Sequence, residues 1–146
     1  MGKAARAIIF NNNKILVMRR NKQGADYYTL IGGKVSDDES IQKGLIREVK
    51  EETGMTLTAA SLMFTEKHPE PYNDQYIYLC EADSYDSVAL SVDSEEAIMN
   101  KQGINVHEPM WVSIGVFEKL PFLTGPLQKA IMNAIQKGFP KEPLEL

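Results

Sequence analysis

Residues 33–55 read GKVSDDESIQKGLIREVKEETGM, and the rest of the chain is read around them. The pair Gly32-Gly33 opens the stretch, Gly54 closes it, and one helix length of sequence lies between. Within that length Glu48, Glu51 and Glu52 stand at i, i+3 and i+4, spacings that a helix gathers on one side. Like charges so gathered repel by roughly a few tenths of a kcal/mol per pair in an isolated helix. A bound cation reverses that sign, so the segment reads as a divalent-metal site built on a helix. The bland alternative is an acidic surface helix. It accounts for three glutamates but not for the flanking glycines or the offset of Arg47.

The local signals agree on a helix. Ser36-x-x-Glu39 fits a capping box, and Asp37 and Asp38 suit the positive end of the helix dipole. The helix is therefore expected over residues 38–53, with Gly54 as its stop. At about 100° per residue, Ile41, Leu45, Ile46 and Val49 share an apolar arc, with Glu48 and Glu52 at its edge and Glu51 just beyond. Arg47 adjoins Glu48 and precedes Glu51 by one turn, within reach to hold a carboxylate in place. Gly44 costs a helix interior about 1 kcal/mol against alanine. It falls on the carboxylate side one turn earlier, where a missing side chain lets a neighbouring loop such as the glycine turn pack close.

Composition sets the class. The chain has 146 residues, 43% hydrophobic and 25% charged, as expected of one soluble domain with a sizeable core. Twenty acids against 16 bases give a net charge of -4, which argues against a stable nucleic-acid partner. Cys80 is the one cysteine, so no internal disulfide forms, and its place in YIYLCEA reads as a buried thiol. The apolar run AIIF near the start is too short for a signal peptide or a membrane span, and Arg6 breaks the myristoylation pattern. A cytoplasmic protein with no membrane association is the expectation.

Taken in order, residues 4–10 and 14–19 read as a hairpin turned by Asn11, Asn12 and Asn13. Residues 23–26 read as a loop, 27–30 as a short strand, and Gly32-Gly33 as a break that lets backbone approach a ligand. A strand is expected around 62–65, then a loop at His68-Pro69-Glu70-Pro71. Residues 75–82 carry the strongest strand signal, with Tyr76, Tyr78 and Cys80 on one face and Ile77 and Leu79 on the other, as in a strand covered on both sides. Residues 84–105 are polar and include Asp93, Glu95 and Glu96. Residues 110–114 read as a strand, 117–120 as a turn or short helix, and 126–137 as an amphipathic helix with Leu127, Ile131, Ala134 and Ile135 inward and Gly138 at its end. The tail from Phe139, with Pro140 and Pro143, reads as loosely ordered. With no internal repeat or linker, residues 1–146 are expected to form one domain.

The full spacing runs Gly33, Glu39, Arg47-Glu48-Val49, Glu51-Glu52 and Gly54-Met55, and it resembles the Nudix box at every fixed position. Met55 stands where that family usually has an aliphatic residue. Tyr28-Thr29-Leu30-Ile31-Gly32-Gly33 is similar to the family's aromatic-x-Leu-Pro-Gly-Gly lead-in, with Ile31 replacing the proline. Pro109-Met110-Trp111-Val112 is similar to the late Trp-Val strand of many short members. The resemblance covers nearly the whole chain. It implies the family's α+β fold, an α/β/α sandwich with a mixed β-sheet, and hydrolysis of a nucleoside diphosphate linked to a further group.

The resemblance also implies roles. Glu48 and Glu52 are the expected ligands of Mg²⁺, with Mn²⁺ a possible substitute, and the Gly33 carbonyl completes the shell. Glu51 is a further ligand or the base that orients water, and Glu52 is the favoured base. Arg47 orients the carboxylates, Glu39 braces loop and helix, and Gly54 ends the helix. Glu95 or Glu96 is the candidate later acid. Oxygen ligands suit Mg²⁺, as histidine and cysteine suit zinc. Arg19, Arg20 and Lys34 are candidates for phosphate, and Tyr28, Tyr76, Tyr78 and Trp111 for stacking on a base. The favoured substrate is a (d)NTP, intact or damaged, split to monophosphate and pyrophosphate as in MutT-type members. ADP-ribose, dinucleoside polyphosphates and nucleotide sugars stay open, as does a non-catalytic nucleotide-binding module. A prenyl-diphosphate isomerase lacks support, since Cys80, His68 and His107 form no evident pair. The partner is a small nucleotide or nucleoside diphosphate derivative, and a homodimer is possible.

Overall fold

The structure, a computed structural model, describes residues 2–22, 24–68, 73–85 and 105–146. β1 (Lys3–Ile8) leads to the short β2 (Phe10–Asn11), which turns at Asn12 and returns as β3 (Lys14–Lys22). Asn12 has φ 57°, the left-handed geometry that asparagine tolerates, so the asparagine turn falls where the sequence places it. β3 runs on past residue 19 because β4 (Ala25–Thr29) pairs along one edge and β8 (Asn105–Ser113) along the other. Of the loop expected at 23–26, Gly24 has φ 85°, Ala25 and Asp26 belong instead to β4, and residue 23 lies outside the described residues.

β5 (Ile31–Val35) leads to α1 (Ile41–Thr53), followed by β6 (Leu57–Glu66) and β7 (Asp74–Ala82). After β8 come α2 (Ile114–Phe117), α3 (Gly125–Lys137) and β9 (Leu144–Glu145). One sheet has the order β5-β1-β7-β6-β9 and is mixed, with β1–β7 and β6–β9 parallel and the other pairs antiparallel. The second is built on β3, with β8 on one edge and β2 and β4 on the other.

The period-two alternation of the strands sorts the apolar residues into two cores. Ala5, Ala7, Leu16, Met18, Tyr78 and Cys80 face α1 and pack with its Leu45 and Val49. Ile8, Ile15, Val17, Phe64 and Ile77 face the other way and pack with Leu127, Ile131 and Ala134 of α3. The two faces read from residues 75–82 are thus the faces found. Leu45 and Val49 are fully buried, each contributing about 1.5–3 kcal/mol. The result is an α+β fold with mixed sheet between helices. Among the described residues no helix is long and apolar enough to cross a membrane.

Four expectations change. Gly32 and Gly33 do not break the chain; they lie within β5, opposite Arg6 and Ala5. Gly32 has φ 140°, and a side chain there would run into the Ala5 carbonyl, so the glycines give closeness inside a strand rather than a turn. The helix starts at Ile41, not 38, because the Ser40 hydroxyl caps it by accepting from the Lys43 amide at 3.1 Å. Ser36 and Glu39 instead close the preceding turn, with the Ser36 amide donating to Glu39 Oε1 at 2.9 Å. Ile46, one residue round from buried Leu45, is 44% exposed rather than core. The tail is tied down: Phe139 meets Phe10 and Phe64, β9 pairs with the open edge of β6, and the Leu146 amide donates to Thr65 O at 2.8 Å.

Gly44 shows what its missing side chain is for. A Cβ there would stand 2.8 and 2.9 Å from the two Val35 methyls and 3.1 Å from Glu39 Oε1. Gly44→Ala should therefore lower the melting temperature, although alanine by itself favours a helix interior by about 1 kcal/mol. In a Val35→Ala background the same change should raise it. Thermal unfolding of the four proteins, followed by circular dichroism, checks this; a rise in Tm from Gly44→Ala alone removes the contact from the account.

Candidate functional site

α1 presents its carboxylates to the backbone of β5. Glu52 is wholly buried, and its Oε1 accepts from the Gly32 amide at 2.6 Å. Glu48, also buried, lies so close to Gly33 that a Cβ there would stand 2.8 Å from its carboxyl carbon. Glu51, one turn from Glu48, is more open, with 38% of its side chain exposed. Gly33 is needed because the Glu48 carboxylate is seated on it, and Gly32 because the Ala5 carbonyl leaves no room for a side chain.

Arg47 ties this group to the loop that precedes the helix. Its Nη1 donates to Glu48 Oε1 at 3.1 Å and reaches both Glu51 oxygens at 3.4 Å. Its Nε and Nη2 donate to Glu39 at 3.2 and 2.7 Å, a two-pronged pairing, and Nη2 also donates to Lys34 O at 3.1 Å. These contacts raise the arginine's already high pKa, first through Glu39. The Arg47 hydrogen bond, then the Ser36 amide, hold the Glu39 carboxyl down to about 2.

A second cation lies on the other face of β1. Arg6 Nη1 donates to Gly32 O at 2.9 Å and Leu30 O at 3.4 Å, and its Nε donates to Gln75 Oε1 at 3.0 Å. Burial and then nearby Arg20 pull its pKa to about 10, while Glu52 and Glu48 pull upward. Sequence reasoning missed Arg6 as a functional residue. The available signal was a lone charge inside the apolar strand ARAIIF.

The other expected residues are spread out. Arg19 pairs with Asp26 at 3.2 Å, and Lys34 is exposed, serving Arg47 through its carbonyl. Arg20 carries a buried Nε with no hydrogen bond among the described residues. Tyr28 is half-buried against the α3-side core, its backbone bonded to Pro121 and Leu123. Tyr76, Tyr78 and Trp111 pack on the α1 side. Gly54 caps α1 at φ 82°. Burial pushes the Cys80 thiol up to about 12, which suits a core residue and not a nucleophile. Glu95 and Glu96 lie outside the described residues. Among the described residues no three His, Cys, Asp or Glu side chains converge as a metal-ligand set.

Beside Arg6, on the α3 side, a cleft of about 560 Å³ opens between β4, β6, β7 and the start of α3. Arg6, Thr29, Glu66, His68, Gln75 and Thr124 supply its polar lining, and Leu30, Leu123 and Leu127 its apolar walls.

The family model described as the NUDIX domain matches residues 1–132, which include every element of the carboxylate site. The chain belongs to the NUDIX family. Among NUDIX relatives, the ADP-ribose pyrophosphatase of Methanocaldococcus jannaschii is 35% identical over 68 residues, covering 46% of this chain and 40% of that protein. The 8-oxo-dGTP diphosphatase of Proteus vulgaris is 31% identical over 78 residues, covering 52% of this chain and 68% of that protein. The match therefore spans less than half of the first relative's length. In the solved structures, the E. coli ORF135 protein superposes with a TM-score of 0.69 at 22% identity, covering 97% of this chain and 95% of that one, a likeness of fold.

The depressed Glu39 carboxyl sets a pH dependence in this NUDIX chain. A carboxylate whose folded pKa is lowered contributes stability above its ordinary value near 4.5 and loses it as pH falls toward about 2. Glu39→Gln should lower Tm at neutral pH and flatten the fall of Tm between those two values. Calorimetric scans of both proteins across that range check it, and parallel curves speak against the Glu39–Arg47 pairing.

Proposed function

We propose that the protein is a Mg²⁺-dependent pyrophosphohydrolase that splits a nucleoside triphosphate into monophosphate and pyrophosphate. One observation carries this reading: Glu48 and Glu52 are buried against Gly33 and Gly32, where a side chain on either glycine would clash. Buried carboxylates are costly unless their charge is answered. The donor set of carboxylates and peptide carbonyl is all oxygen, which fits Mg²⁺.

Glu48, Glu52 and the Gly33 carbonyl would hold the ion, with Glu51 beside them. When bound, it neutralises charge on the phosphates and lowers the pKa of a coordinated water. The protein's own part is position and proton transfer. Arg47 holds Glu48 and Glu51 together through one guanidinium nitrogen. Glu52 takes the proton from the attacking water, whose oxygen bonds to phosphorus as the bridging P–O bond breaks and pyrophosphate departs. Arg20 is best placed among the expected cations to meet phosphate, because its buried Nε lacks a hydrogen bond among the described residues, whereas Arg19 is paired with Asp26.

The relatives support a nucleotide substrate and divide over its kind. ADP-ribose is the second reading, favoured by the name of the Methanocaldococcus jannaschii relative. Glu52→Gln should keep the amide contact and the fold while cutting turnover by about 10²–10⁴-fold, as loss of a proton acceptor does. Chromatography of a Mg²⁺ reaction panel, identifying both products, measures this. Undiminished turnover in the variant removes Glu52 from the chemistry, and ribose phosphate as a product moves the substrate to ADP-ribose.

A further inference from the structure

Gly32 is held through both of its backbone groups by side chains from opposite faces of the sheet. Its amide donates to Glu52 Oε1 at 2.6 Å, and its carbonyl accepts from Arg6 Nη1 at 2.9 Å. Glu52 comes from α1. Arg6 alternates along β1 with Ala5 and Ala7, which face α1, so its side chain lies on the α3 face. The same guanidinium reaches Leu30 O at 3.4 Å, and its Nε donates to Gln75 Oε1 at 3.0 Å. Gln75 is anchored in turn, its Nε2 donating to Asn73 O at 3.0 Å. A chain of bonds thus runs from the start of β7 through Arg6 to the glycine strand.

Each of these acceptors of Arg6 is a neutral oxygen, and two are peptide carbonyls. Burying a guanidinium is costly, and a hydrocarbon side chain of similar volume would fill the position at less cost. What only the guanidinium supplies is a set of directed donors. Glycine has the widest backbone freedom and no side chain to pack, so β5 by itself leaves the Gly32 and Gly33 peptides loosely defined. Gly32 shows this freedom in its φ of 140°. The unit joining the Gly32 carbonyl to the Gly33 amide is planar, so a bond to the Gly32 oxygen sets both ends of it. The Gly33 carbonyl is the next group along the chain, and it is the one read above as a ligand of the ion.

We infer that Arg6 is a positioning residue for the metal site: from behind β5 it holds the Gly32–Gly33 peptide in the plane on which the Gly33 carbonyl and the Glu52 contact depend. The inference rests on the metal-dependent reading above, and it predicts a sign of its own. By charge alone, a cation close to the site opposes a second cation, so removing it would tighten metal binding. By position, removing it weakens binding.

Mn²⁺ alone is titrated into wild type, Arg6→Met and Gln75→Leu, with free Mn²⁺ read by electron paramagnetic resonance, and loss of binding in Glu48→Gln marks the site to be counted. Arg6→Met should weaken that site by about 10-fold or more, as loss of a group that orients a metal ligand does. Gln75→Leu keeps the charge but releases the guanidinium from its anchor, and it should weaken the site by about 3-fold, less because it acts through Arg6. Circular dichroism checks that each variant is folded; if Arg6→Met is not, Gln75→Leu decides alone. Unchanged or tighter binding in Arg6→Met overturns the inference, and so does unchanged binding in Gln75→Leu, which leaves Arg6 a charge and nothing more. In both cases the hydrolase reading stands. A wild type that binds no Mn²⁺ at the Glu48 site removes the metal reading and the inference with it.

Discussion

Two glutamates of α1 are seated on the two glycines of β5, and neither glycine has room for a side chain. The Gly32 amide donates to Glu52 at 2.6 Å, and Glu48 fills the space over Gly33. Everything else at the site follows from this seating. α1 must lie against β5, which requires Gly44 opposite Val35 and a core of Leu45 and Val49 beneath. β5 must lie beside β1, whose Ala5 carbonyl leaves no room for a side chain at Gly32.

The charges are arranged in a row around that contact. Glu39 holds Arg47 from one side, and Arg47 holds Glu48 and Glu51 from the other, so the loop before the helix and the helix itself are locked in one geometry. Behind the strand, Arg6 grips Gly32 O and adds a positive potential that favours ionised Glu52 and Glu48. Buried carboxylates would otherwise tend to protonate. An electrostatic partner for two buried acids gives a reason for an arginine in a strand of alanines and isoleucines.

Much of this was legible in the residues. The glutamate offsets, the Gly54 stop and the two faces of residues 75–82 depend on local periodicity, which sequence carries directly. What was not legible depends on partners distant in the chain. The segment IGGKV has weak strand propensity, and it becomes β5 because β1 pairs with it. β9 is exposed and follows Pro140 and Pro143, and it is ordered by the free edge of β6. Ser40 rather than Ser36 caps α1, because Glu39 is turned toward Arg47. The cleft was invisible for the same reason: Arg6, Thr29, Glu66 and Thr124 come from four separate stretches and meet only in the fold.

The account turns on where a divalent ion sits. Crystals grown with Mn²⁺ and a non-hydrolysable nucleotide, with data collected at the manganese edge, answer that directly. The account predicts an anomalous peak bonded to carboxylate oxygens of Glu48 and Glu52 beside the Gly33 carbonyl. A peak held elsewhere, with both glutamates still seated on the glycines and bound to no ion, would contradict it.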